Sequence, residues 1–161
     1  MDARIAPLLD ILKLNTRLFL NCLDGVDDET AQRRPGDRVN NMTFIALHLV
    51  DARCYLARYV GLEHESPYKH LEDVASIDEM EEFPALAELR AAWSDVSERL
   101  AARLPALSDA VLGSESAQQF PVDDGTVLGG IAFLLEHESF HIGQLALLRK
   151  HFGLGAMSYP G

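Results

Sequence analysis

Cysteine is nearly absent from this 161-residue sequence, which holds only Cys22 and Cys54. Two cysteines without a C-x-x-C build neither a disulfide framework nor a thiolate metal site. Each reads as a small apolar core residue, and their scarcity fits a reducing, cytoplasmic setting. Positive charge is also short, with 14 Lys and Arg against 25 Asp and Glu, a formal net charge of -11. Lacking a basic face, the chain is expected to bind no nucleic acid, and its acidity disfavours anionic membrane surfaces. No apolar run approaches the roughly 20 residues of a membrane span, and no basic segment with an apolar stretch opens the chain. Internal repeats and low-complexity segments are missing too. These absences leave an expected soluble, intracellular protein, whose 161 residues suit one domain spanning 1–161.

What the sequence does hold is helical periodicity. Ile5, Leu8, Leu9, Leu12, Phe19, Cys22 and Leu23 fall on one stripe and predict a helix over about 3–23. Asn15 and Thr16 interrupt that stripe, either to satisfy a neighbouring helix or to line a pocket. A turn-rich connector with one short helical turn follows. Asn40 or Asn41 then caps a second helix over about 42–60, ended by Gly61. At 100° per residue, Phe44, Ile45, His48, Ala52, Tyr55 and Tyr59 share its face, which places His48 on the expected buried stripe. The acidic stretch from Leu62 to Phe83 reads as a surface connector carrying His64 and His70 as solvated side chains. Pro84 is placed to start a third helix with Leu86, Leu89, Trp93, Val96, Leu100 and Leu104 as its core stripe. A second connector has room for a short extended piece near Gln118 to Val122. Thr126 caps the last helix, which is apolar on more than one side and so central in a bundle or buried at a dimer contact. Four long helices with crossover connections predict an all-α four-helix bundle.

The last helix carries H-E-S-F-H, from His137 to His141, the H-E-x-x-H pattern of zinc metalloproteases. Residues four apart project from one face, so the two imidazoles are spaced to chelate one divalent ion. The protease reading needs more. In H-E-x-x-H-x-x-G-x-x-H the glycine and third histidine would fall on Gln144 and Leu147. No Glu or Asp follows Glu138, and His151 lies too far along the same helix. A missing ligand is then expected upstream, and His48 is the other histidine on the inner face of a long helix. Sites in bundles are built from facing helices, and three imidazoles leave positions open for water or substrate.

The mid-helix histidine of NNMTFIALHLVDA together with HESFHIGQLALLRKHFG resembles the DinB/YfiT-like superfamily over essentially the whole chain. The resemblance implies a four-helix bundle, commonly a homodimer, with a three-histidine site for one divalent ion such as Zn or Ni. Carried onto this sequence, the implied ligands are His48, His137 and His141. Members with known activity include mycothiol-dependent maleylpyruvate isomerase and bacillithiol S-transferases. The implied chemistry is therefore transfer of a low-molecular-weight thiol, or else hydrolysis, on a small-molecule substrate.

Glu138 follows the first ligand of the pair and reads either as a proton shuttle or as a carboxylate that orients a ligand histidine or pairs with an arginine such as Arg53. Asp51 lies one turn from His48 and is a candidate to support it. Tyr55 and Asn15 are weaker pocket candidates, and Gln144, one turn beyond His141, is expected to hydrogen-bond across the bundle. A bundle whose ion only stabilises the fold and a plain interaction module are the competing readings.

Overall fold

Asn41 and Thr126 set the starts of the two helices that matter most here. The Asn41 side chain accepts a 2.8 Å hydrogen bond from the Phe44 amide, and Thr126 accepts from the Gly129 amide at 3.4 Å. Each satisfies a backbone N–H that the first helical turn leaves without a partner. In the computed structural model, which describes residues 2–71, 74 and 76–159, these caps open α3 and α6. The helices are α1 (Ala6–Cys22), α2 (Asp28–Gln32), α3 (Met42–Tyr59), α4 (Leu86–Arg103), α5 (Asp109–Leu112) and α6 (Val127–His151). The four long ones are those that periodicity predicts, with ends displaced by a few residues. Pro84 stands just ahead of α4 rather than inside it, and Ala85 is the cap position.

Helix α1 packs on α6 and α4, and α3 packs on the same two, so α1 and α3 face each other across the bundle diagonal. Side-chain bonds give the directions. Asn15 reaches Leu135 and Arg149 reaches Asp24, so α1 and α6 run parallel. Arg53 meets Ser97 and Arg103 meets Val60, so α3 and α4 are parallel as well. His48 against His137, with Tyr59 against Gly130, makes α3 and α6 antiparallel. The order is up, down, down, up, which obliges the α3–α4 connector to cross the length of the bundle.

That connector is the acidic stretch predicted to be irregular. It holds two single 3₁₀ turns, Lys69–Leu71 and Ile77–Glu79, while Glu72, Asp73 and Ala75 lie outside the described residues. The extended piece expected near Gln118 to Val122 does not form. An isolated antiparallel bridge joins Glu115 to Thr126 instead, with Ser116 donating to the Gly125 carbonyl at 2.9 Å. Pro121 and Gly125 favour turns there, and no neighbouring strand exists among the described residues to pair with an extended segment. The loop is held down by the Tyr59 hydroxyl, 2.8 Å from Ser116 Oγ. Tyr59 lies over Gly130, where a Cβ would come within 2.3 Å of its oxygen, so this crossing needs glycine.

The core fills the space between the four long helices. Trp93 and Phe19 are fully buried and stack at 4.2 Å between centroids, joining α4 to α1. Among the described residues no helix is long and apolar enough to cross a membrane.

Candidate metal centre

His137 and His141 stand one turn apart on α6, as their spacing requires, and α3 brings His48 against them. The His137 Nε2 atom lies 3.3 Å from His48 Nε2 and 3.1 Å from His141 Nε2. An ion about 2.05 Å from each imidazole nitrogen sets neighbouring nitrogens about 3.3 Å apart at tetrahedral angles and about 2.9 Å at right angles. The observed separations lie between those limits. The rings meet edge to face, with centroids 4.5 to 5.0 Å apart, so their Nε2 edges converge instead of stacking. Among the described residues this is the one cluster of three side chains with metal-ligating atoms so close together.

The environment disfavours a charge on His48 and His137. Although His48 stands exposed as a residue, desolvation of its ring among the groups packed around it lowers its pKa to about 4, and a charge on His141 or His137 would repel its own. Burial, and then His141, lowers His137 too, opposed by Glu138 and Glu136. Neutral imidazole is the form that binds a metal. The unfolded chain takes up protons near pH 6.5, whereas folded His48 resists them until about pH 4. The metal-free protein is therefore expected to lose stability as pH falls through that window and to regain it above. Denaturant midpoints of chelated protein at pH 7.5, 6 and 4.5 check this; a flat series would contradict it.

Glu138 sits beside this pair in sequence but not in space. It is 1% exposed and faces the core, where Arg53, 0% exposed, grips both carboxylate oxygens. Arg53 Nε donates to Oε1 at 2.8 Å and Nη2 to Oε2. Arg53 Nη1 also donates to Thr16 and Ser97, at 2.7 Å each, and the guanidinium lies 3.5 Å over the Trp93 ring. Asn15 completes the network by donating to Glu138 Oε2 at 3.4 Å and to the Leu135 carbonyl at 3.0 Å. Of the two readings of Glu138, the arginine partner is the one this geometry realises. Asn15 and Thr16 likewise serve neighbouring helices.

The sequence profile of the DinB superfamily matches residues 11–145. The chain belongs to that superfamily. A crystal structure of a DinB-like protein from Bacillus cereus superposes on this DinB chain with a TM-score of 0.72 at 19% identity. That match covers 98% of this chain and 96% of the other, and it shows the shared fold. No curated protein matches.

Within the DinB fold, three positions differ from the sequence expectations. His48 is exposed and not on the buried stripe of α3; that stripe runs through Met42, Ile45, Ala46, Leu49, Val50, Arg53 and Leu56. Helix α3 is buried over so much of its girth that apolar residues could not mark its outer face, which carries Phe44, His48, Asp51 and Tyr55. Among the described residues Gln144 does not bond across the bundle. Its Oε1 lies 2.7 Å from His141 Nδ1 on its own helix. His64, expected to be solvated, is half-buried, and its Nδ1 accepts from Arg99 at 2.7 Å. His70 is exposed, as a solvated reading requires, and so is His151 at the end of α6.

A cleft of about 300 Å³ opens beside His48, walled by Phe44, Leu47, Asp51, Tyr55, Arg58 and Leu71. Asp51 lines it with one oxygen accepting from Ser66 at 2.5 Å. Tyr55 stands there too, its phenol held above the usual range by burial and by Tyr59. Neither Arg58 nor Leu71 carried a motif: Arg58 reaches the cleft from α3 itself, and Leu71 comes to His48 only because the connector folds onto α3.

Proposed function

We propose that this protein binds one divalent ion, Zn or Ni, on His48, His137 and His141 and uses it on a small-molecule substrate. The convergence of three imidazole Nε2 atoms, with separations of 3.1 and 3.3 Å, carries this reading. Such an ion supplies Lewis-acid chemistry, lowering the pKa of a water or thiol that it binds. The chain's own part is to hold three nitrogens on one side, leave the other side open, and line the approach with the half-apolar cleft beside His48. Reaction classes that fit are hydrolysis and transfer of a low-molecular-weight thiol, and the superfamily resemblance favours the second. Glu138 has no part in proton transfer in this proposal, since both its oxygens are bound by Arg53. That same engagement argues against a protease, whose glutamate must face the ion.

The exposed face of α6 supports a homodimer. Phe140 is 59% exposed and Leu147 68%, seven residues apart on one side of the helix. The setting proposed is cytoplasmic, from two buried cysteines that form no disulfide.

Purified protein is expected to carry about one divalent ion per chain, because one three-imidazole site is proposed. Elemental analysis of wild type and His48→Ala side by side tests it, and full metal retention in the variant would remove His48 from the site. Turnover of thiol and electrophile pairs, compared between loaded and chelated protein, then separates catalysis from a purely structural ion. Equal rates in both would favour the structural reading.

A further inference from the structure

We infer that Gln144 is a positioning residue that sets the His141 tautomer and so aims His141 Nε2 at the ion, an inference that rests on the three-histidine reading. Gln144 Oε1 lies 2.7 Å from His141 Nδ1. A carbonyl oxygen can only accept, so the ring must carry its proton on Nδ1. Nε2 is then left bare, on the side where His137 Nε2 stands 3.1 Å away. Helical geometry makes the contact natural. Side chains lean toward the helix N-terminus, so the residue at i+3 lies back over the one at i.

The other proposed ligand on α6 has no such support. His137 Nδ1 is buried without a hydrogen-bond partner among the described residues. Two ligands on one helix thus differ: His141 is fixed before metal arrives, and His137 is free to choose its tautomer. Outer partners of this kind typically change metal affinity by about 10–100-fold, because without them the ring must first pay to reach the binding tautomer. The opposite assignment is also chemically definite. An amide turned end for end would donate to Nδ1, force the proton onto Nε2 and oppose metal binding.

Two readouts test this on the full chain. In chelated wild type, the ring ¹⁵N shifts of His141 are expected to show a protonated Nδ1 and a bare Nε2. In Gln144→Leu that preference is expected to be lost, while Gln144→Glu, which keeps an acceptor, restores it. Competition with a chromophoric chelator for Zn is expected to show roughly 10–100-fold weaker binding in Gln144→Leu. Gln144→Glu is expected to bind at least as tightly as wild type. A protonated Nε2 in wild type, or Zn affinity unchanged in a folded Gln144→Leu, would overturn the assignment. Full metal retention in His48→Ala would instead strike the three-histidine site, and the tautomer measured without metal would still decide what Gln144 does.

Discussion

Glu138→Ala is expected to destabilise the protein by about 3–5 kcal/mol, because it strands a fully buried guanidinium without its counter-charge. Thr16 and Ser97 would still accept from Arg53, and Trp93 would still face its cation, but none of them carries negative charge. Glu138→Gln keeps an acceptor and is expected to lose less. The double change Arg53→Met with Glu138→Leu removes both charges and replaces them with apolar volume. Such replacements are often neutral or stabilising, so the double variant is expected to be more stable than Glu138→Ala. Urea titrations of the wild type and these variants give the comparison. A Glu138→Ala loss below about 1 kcal/mol would mean that the pair is far better solvated than its burial implies.

Metal is the second large lever. At a free concentration 1,000 times Kd, an ion bound only by the folded state adds about 4.1 kcal/mol. For a domain of this size that raises Tm by roughly 10 °C. His137→Ala is expected to abolish the increment, since one imidazole from each of two helices cannot match three. Differential scanning fluorimetry with and without Zn, on both proteins, reads it directly. A wild-type shift that persists undiminished in His137→Ala would place the ion elsewhere.

How far the sequence spoke for itself depends on what each feature needs. Helices α1, α3, α4 and α6 are legible because their apolar stripes run for many turns and Asn41 and Thr126 are strong caps. His137 and His141 are legible because four residues is a local, geometric spacing. His48 was reached by an argument about facing helices, and it does lie 3.3 Å from His137, but the expected burial does not hold: it stands on the open side of α3. Glu138 was ambiguous because the choice between ion and arginine depends on the rotation of α6, and a helix apolar all round has no stripe from which to read it. Gln144 was within reach, since i and i+3 are neighbours on any helix, but its partner was sought on another helix. Leu71 was out of reach, because where a long connector lies is settled by tertiary packing.

The buried pair does for α6 what its hydrophobic pattern cannot. Arg53 lies five residues after His48, and Glu138 directly follows His137. Their grip fixes the register in which the histidines meet. The charge-free double variant is thus a separate probe of specificity: it can keep its stability and still lose metal affinity.

One consequence of the up, down, down, up order concerns time. His48 and His137 are 89 residues apart, and α6 follows every other long helix in the sequence. A nascent chain growing at about 5–20 residues per second has His48 exposed for several seconds before its partners are made. No fragment ending before α6 can assemble the centre. Uptake of the proposed ion would therefore mark the completion of the bundle, as the last part fitted.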